Sequence, residues 1–377
     1  MEHTIDRSQI EAILQAEDLT GLSGDEMARF FLDEAGLRKY LPDGVCRQDP
    51  RDGANIIYNS ARAKRPHHIG EAAPAVEPDA SKCPVCNGNT TGILDVAELS
   101  SGVTFINKNL FPILYPQTES QSGAGRKDVL GERSAFGYHF LQWTSSVHTR
   151  DWQNMPLADL VVVVRRLAAL ERKLLFDSGS MMPDFESWDN VKNARGFVSI
   201  IKNFGKLVGG SLAHGHQQIG FSNIMPRAFR NNLQYAQKHG ELFADTMVRD
   251  NPAHLQVADF GSTVLLVPYF MKRPYAMMLF IKDTSRQYVC ELGDEEVSDL
   301  AAGIHHAVRA ILTVMPDSGR TSAYNFVIHN GPGAGLYVEF LPYTQETGGF
   351  EHLGLWVCQN NPENVAKQLK DVVGAGR

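Results

Sequence analysis

Residues 197 to 221 constrain the fold of this chain more than any other stretch. Two apolar, β-prone runs, Phe197 to Lys202 and His214 to Phe221, flank Asn203-Phe204-Gly205 and Gly209-Gly210-Ser211. This is the pattern of a strand, a glycine-rich turn and a second strand. Side chains at i, i+2 and i+4 of a strand share one face, so His214, His216 and Gln218 are expected to point the same way. A glycine backbone, lacking Cβ, can come close to a phosphate. Two histidines and an amide beside such a turn suit a chain that attacks phosphorus with an imidazole. Alternating histidines can also sit on a half-exposed strand with no chemical role, and the rest of the chain favours the first reading.

The second half repeats the pattern weakly. A helix expected from about Pro156 to Phe176, with an apolar stripe of Leu157, Leu160, Val161, Val164, Leu167 and Leu170, precedes the first unit. A helix from about Glu295 to Val314 precedes strands Asn325–Ile328 and Tyr337–Leu341. Asn325 to Pro332 is then the counterpart of Ser199 to Gly205, and Tyr337-x-Glu339-x-Leu341 stands where the first half has His-x-His-x-Gln. The expected fold class is α+β: two related halves, each an antiparallel sheet packed with helices. We divide the chain into a helical N-terminal extension (1–44), a half with the reactive histidine (45–222) and a second half (223–377). Further strands are expected at Gly102–Tyr115, Gly137–Ser146, Leu255–Ala258, Val264–Tyr269 and Ala276–Ile281. One helix is expected over 228–250 and a closing helix at Pro362–Val373. The stretch 66–82 is a loop leading to a cysteine pair, and Ser120 to Lys127 a second, mobile loop.

A chain of 377 residues can make one large or two modest domains. Its net charge of −7 gives no general attraction to nucleic acid. Basic residues are instead local, in Arg62-Ala63-Lys64-Arg65, which suggests a confined anionic ligand. No apolar run is long enough to span a bilayer, and the N-terminus lacks the basic and apolar regions of a signal peptide. Cytoplasm is the expected location. Five cysteines, an odd number, argue against a disulfide framework. Cys83-Pro84-Val85-Cys86 is the one close pair, suited to a metal half-site or a redox motif. The turn-forming Asn87-Gly88-Asn89-Thr90-Thr91 that follows favours metal.

Together these segments resemble the galactose-1-phosphate uridylyltransferase family, sugar-1-phosphate nucleotidylyltransferases and phosphorylases of the histidine-triad superfamily. The likeness spans about residues 45–375. Arg47-x-Asp49-Pro50 followed by Arg62-Ala63-Lys64-Arg65-Pro66 is similar to the family's N-terminal signature. Cys83-Pro84-x-Cys86-x-Gly88-Asn89 resembles its zinc knuckle, and Asn109-Leu110-Phe111-Pro112 its nucleotide-pocket segment. Val147-His148 before a long helix resembles a zinc-ligand site, Asn203…Gly209 to Gln218 the active-site motif, and Gly349-Phe350-Glu351 a sugar-holding loop.

The resemblance implies two histidine-triad-like halves and transfer through a covalent nucleotidyl-histidine. It makes His216 the nucleophile, its other nitrogen oriented by a main-chain carbonyl near His214. Gln218 would contact phosphoryl oxygens, and Ser211, Gly209 and Gly210 the leaving phosphate. Arg62 and Arg65 would neutralise the diphosphate, while Asn109, Asn203 and Glu351 would bind substrate. One structural zinc, Zn2+, is implied on Cys83, Cys86, His148 and His214. The implied partners are a nucleoside diphosphate sugar and a sugar 1-phosphate or phosphate, on a homodimer. His139, Cys46, Cys290 and Cys358 are read as structural, and His67 and His68 as solvated.

The chain departs from the family pattern at several positions. Gly215 stands where the uridylyltransferases carry proline between the motif histidines, and Gly210 where they carry cysteine. Leu110 replaces the acid beside the pocket asparagine. Tyr337 and Glu339 stand where a second metal site has histidines, so that site is expected to be absent or altered. The leading reading is exchange of a nucleoside monophosphate between a nucleoside diphosphate sugar and a hexose 1-phosphate. The runner-up is a phosphorylase that uses inorganic phosphate. A non-catalytic zinc protein and a hydrolase with water as acceptor are the remaining readings.

Overall fold

The computed structural model describes residues 3–64, 80–116, 132–176 and 196–374. Arg65, His67, His68, most of the loop 66–82 and the loop Ser120 to Lys127 lie outside these residues. In chain order the elements begin with helices α1 (Arg7–Ile13) and α2 (Gly24–Leu32). Strands β1 (Val45–Gln48), β2 (Asn55–Tyr58), β3 (Ile93–Glu98), β4 (Val103–Lys108), β5 (Glu132–Ser134) and β6 (Gly137–Trp143) follow. Helix α3 (Leu157–Phe176), strands β7 (Phe197–Phe204) and β8 (His216–Ser222), and helices α4 (Arg227–His239) and α5 (Phe243–Asp250) complete the first half and the crossing to the second. The second half has β9 (Gln256–Asp259), β10 (Thr263–Leu266), β11 (Met277–Ile281), α6 (Asp294–Asp317), β12 (Tyr324–His329), β13 (Tyr337–Pro342), α7 (Gly349–His352) and α8 (Pro362–Gly374).

The two halves share one ten-stranded antiparallel sheet, in the order β3-β4-β6-β8-β7-β12-β13-β11-β10-β9. Read outwards from its middle, each side runs through five strands in the same relative chain order, so β7 matches β12 and β8 matches β13. The helices α3 and α6 lie between the third and fourth strands of their halves and pack on each other. The internal repeat is therefore real, but the halves are joined edge to edge where β7 pairs β12 over Asn203↔Asn325 to Ile200↔Ile328. This pairing gives both inner strands a partner and removes two edges that would otherwise template foreign strands. A separate three-stranded sheet, β2-β1-β5, is an addition with no counterpart in the expectations from sequence. We keep 222/223 as the proposed division between the halves, because it falls between β8 and α4.

Helix α3 forms because Leu160, Val163, Val164, Leu167, Leu170 and Leu174 line one buried stripe. Leu157 is exposed, so the stripe is rotated slightly from the expected one. The single helix expected over 228–250 is two, broken between His239 and Phe243. No strand continues past Lys108 into the pocket segment 109–115. The helical N-terminal extension packs into the core of the first half. Ser23 and Glu26 form a reciprocal capping box at α2, and Met27 and Phe31, four residues apart, are buried in the same core as Tyr138 and Phe140. Arg166 of α3 is ion-paired with Asp18 and Asp95, and buried Lys108 with Glu34 at 3.0 Å. Average polarity hid this, because a short helix needs few apolar residues if they share a face. Among the described residues no helix is long and apolar enough to cross a membrane.

Glu171 of α3 ties the halves together from inside. Its carboxylate accepts from the Cys290 N–H at 2.9 Å and from Asn330 Nδ2 at 2.6 Å. Burial pushes its carboxyl up to about 7, with those hydrogen bonds opposing the shift only in part. A raised carboxyl favours the folded state while protonated, so this contribution is complete below the ordinary carboxyl range and is lost as pH rises through about 7. Glu171→Gln, with Asn330 turning its amide oxygen towards the new donor, should remove the loss of stability between about pH 5 and pH 8. Chemical denaturation across that range measures it, and an unchanged profile would refute the assignment.

Candidate active site

Four donor groups meet where the loop after residue 80, the end of β6 and the start of β8 converge. Cys83 and Cys86 are presented by a tight turn in which Gly88 N–H donates to Val85 O and Asn89 N–H to Pro84 O. The donor atoms of Cys83, Cys86, His148 and His214 all lie within 4.8 Å of one another, and all four residues are buried. His148 Nδ1 is 3.4 Å from Cys86 Sγ; His214 Nδ1 is 3.5 Å from Cys86 Sγ and 3.7 Å from Cys83 Sγ. A tetrahedral ion with sulfur bonds of about 2.3 Å and nitrogen bonds of about 2.0 Å holds such ligands about 3.5 Å apart. The residues fit. His214 Nε2–H donates to Ser145 O at 2.7 Å, so its Nδ1 carries the lone pair that faces the thiols. Burial lowers the His214 imidazole to about 4, which keeps it neutral. Burial, then the neighbouring Cys83, pushes the Cys86 thiol up to about 12. A protonated Cys86 thiol is a poor occupant of such a site, whereas a bound cation would take both sulfurs as thiolates. Among the described residues this is the one such cluster.

His214 does not share the strand face of His216 and Gln218, because β8 begins at His216. The chain bends there, sending the His214 ring to the cluster and leaving its carbonyl beside the next histidine. His216 Nδ1 lies 2.8 Å from His214 O. A carbonyl can only accept, so Nδ1 carries the proton and Nε2 holds the lone pair. The indole of Trp143 packs against this ring, centroids 4.8 Å apart.

A charge pair lies beneath the motif. Lys202 Nζ is 2.8 Å from Asp151 Oδ2 and donates at 3.1 Å to His216 O, with both side chains almost wholly buried. Asp151 also accepts from Thr144 Oγ1 and from the Trp152 N–H. This pair accounts for Gly215: a Cβ there would come within 2.5 Å of Asp151 Cγ. Gly210 is equally confined, since a Cβ would lie 2.8 Å from Gly205 O. Neither proline at 215 nor cysteine at 210 fits this backbone. Neither Asp151 nor Lys202 was singled out from sequence, although a lysine inside the apolar run of β7 is itself a sign of a buried partner.

Gln218 Oε1 is 3.1 Å from His139 Nε2, and Asn109 Nδ2 is 3.2 Å from the same nitrogen. Asn203 and Asn325, paired across the seam, are joined by an Asn325 Nδ2–H donating to Asn203 Oδ1 at 2.7 Å and to Val208 O at 3.2 Å. That bond braces the turn carrying Gly209, Gly210 and the exposed Ser211. Arg62 lies on a short 3-10 turn, Ser60–Lys64, whose backbone is held by Asn59. Glu351 accepts from the Gly348 and Val357 N–H groups of its own loop, and no hydrogen bond described here joins it to the histidine motif. In the second half, His329 Nε2 pairs with Glu339 Oε2 at 3.0 Å, and its ring stacks on Tyr337 at 4.3 Å.

No protein-family model matches the chain. An ADP-glucose phosphorylase of Arabidopsis thaliana is 22% identical over 346 residues, covering 86% of this chain and 92% of the relative. A galactose-1-phosphate uridylyltransferase of Thermotoga maritima is 25% identical over 245 residues, 63% of this chain and 66% of the relative. Among solved structures, a uridylyltransferase superposes with a TM-score of 0.68 at 22% identity, over 88% of this chain and 99% of that one. An Arabidopsis thaliana ADP-glucose phosphorylase with bound ADP-glucose gives 0.62 at 18% identity, over 86% and 97%. The fold is that of these uridylyltransferase and phosphorylase structures. In sequence and in fold the chain is similar to members of the galactose-1-phosphate uridylyltransferase family.

Lys202→Met should cost about 3–5 kcal/mol, because it strands the Asp151 carboxylate in the interior. Lys202→Met with Asp151→Asn should recover much of that loss. Equal destabilisation of the single and double variants in urea would show that the pair is not the cause.

Proposed function

We propose that the chain moves a nucleoside monophosphate from a nucleoside diphosphate sugar to a hexose 1-phosphate by way of a nucleotidyl-histidine on His216. The observation that carries this reading is the 2.8 Å contact of His216 Nδ1 with the His214 carbonyl, which leaves Nε2 as a nucleophile. In the first step the Nε2 lone pair forms a bond to the α-phosphorus, the bond from that phosphorus to the bridging oxygen breaks, and sugar 1-phosphate leaves. In the second, a phosphate oxygen of the acceptor attacks and the N–P bond breaks. Dividing the transfer in this way replaces one difficult displacement with two easier ones.

Gln218, Ser211 and the backbone around Gly209 and Gly210 are assigned to the phosphoryl oxygens and the leaving phosphate. Arg62 and Arg65 are assigned to the diphosphate charge, with Asn109, Asn203 and Glu351 to the rest of the substrate. These are positioning and electrostatic roles. Zinc on Cys83, Cys86, His148 and His214 would be a structural brace, with no open position for water. We take the protein to be a cytoplasmic homodimer.

A second reading has inorganic phosphate as acceptor. It is favoured by the fuller coverage of the ADP-glucose phosphorylase relative, 86% of this chain against 63% for the uridylyltransferase. Incubation with UDP-glucose, UDP-galactose, ADP-glucose and GDP-sugars in turn, without acceptor, should add one nucleoside monophosphate to the intact mass. The adduct should be acid-labile and absent in His216→Gly; a labelled His216→Gly would remove the nucleophile assignment. Discharge by phosphate and by hexose 1-phosphate then separates the two acceptors. Cys83→Ser should lower both metal content and melting temperature, since a structural metal site contributes folding free energy. Unchanged values of both would exclude that site.

A further inference from the structure

His139 is buried on β6 and has no role in the steps above. Its surroundings determine which nitrogen carries the proton. The Ile113 backbone N–H donates to His139 Nδ1 at 3.1 Å. A backbone N–H can only donate, so Nδ1 is the acceptor and the proton of the neutral ring sits on Nε2. That N–H has an acceptor in Gln218 Oε1 at 3.1 Å. The Asn109 carboxamide oxygen already accepts from the Phe111 N–H, so its Nδ2, 3.2 Å from His139 Nε2, is a packing neighbour of that nitrogen. The backbone of His139 is tied to the same segment, because the Asn109 N–H donates to His139 O at 2.8 Å.

We propose that His139 is a positioning residue that sets the Gln218 amide. By holding Oε1, it leaves the Gln218 NH2 as the group presented to the phosphoryl oxygens. A Gln218 turned the other way would offer an oxygen to an anion. Since the Ile113 N–H donates to the His139 ring, the ring also links the pocket segment 109–113 to Gln218. The Ile113 N–H belongs to that segment, so a nucleotide that orders the segment holds the ring, and through it Gln218. The catalytic meaning of this rests on the nucleotidyl transfer proposed above.

The first test is of geometry and needs no activity. Histidine-selective 15N NMR of the full chain should show a neutral His139 ring protonated on Nε2, with that N–H resonance shifted by Gln218→Ala. A proton on Nδ1, or a resonance indifferent to Gln218→Ala, overturns the proposal. The second is a double-mutant cycle on single-turnover labelling of His216. His139→Leu should slow labelling roughly ten- to hundred-fold, as expected when a phosphate-contacting group is misplaced. It should have almost no further effect in a Gln218→Ala background, whereas His139→Gln, which keeps a donor near Nε2, should recover part of the rate. Equal losses in both backgrounds would show that His139 does not act through Gln218. Failure of the wild type to label with any donor would count against the transfer reading, and the NMR result would still uphold or overturn the orientation of Gln218.

Discussion

His214 uses both faces of its ring and its own carbonyl, and the site depends on that one residue. Nε2–H is given to Ser145 O, Nδ1 is turned to the two thiols, and the carbonyl receives the His216 N–H. Because the carbonyl and the ring belong to one residue, whatever holds the ring also holds the carbonyl. A cation in the cluster would therefore steady the tautomer of His216, and in the proposed transfer that gives a closed metal site a physical reason to lie beside the nucleophile. Displacement of the ring would free Nδ1 of His216 and leave the choice of nucleophilic nitrogen undetermined.

Beneath this residue the interior is polar and carries a set of paired side chains. Lys202 and Asp151 meet under the motif, Gln142 and Gln217 are hydrogen-bonded at 2.6 Å, and Gln217 accepts from the Trp152 indole at 3.0 Å. Such a network is costly when incomplete and specifying when satisfied. It holds the start of β8 against β6 and β7, and it explains Gly215, where a Cβ would meet Asp151. Gly210 has a local cause, since a Cβ there would meet the backbone of Gly205 and Asn203 in its own turn. One unusual glycine of the motif thus answers a neighbour brought in from elsewhere in the chain, and the other answers the turn itself.

The second half keeps the scaffold and replaces the chemistry. β12 and β13 occupy the places of β7 and β8, yet His329 is engaged with Glu339 and stacked on Tyr337. Its remaining service to the site is mechanical: Asn325 reaches across the seam to Asn203 and Val208 and supports the glycine turn. The second half thus covers an edge of the first half's sheet and braces its glycine turn.

Sequence by itself determined the α+β class, the repeat, most helices and the cysteine pair of the cluster, because these follow from periodicity and from residue chemistry at short spacing; His148 and His214 were added to that pair by the family resemblance. Cys83 and Cys86 read as a ligand pair from four consecutive residues, and His216 from the five around it. Where the signal is spread over a distance, the sequence is silent. The joining of two sheets at β7 and β12 depends on edges, which no local pattern records. Leu19 and Phe31 are buried by strands far along the chain, and the polar residues around them masked it. His139 and Asp151 look ordinary in sequence; the tertiary structure placed one against Gln218 and the other against Gly215. Residue type fixes what a side chain can donate or accept, but its partner is chosen by packing, and the function read here depends on those choices.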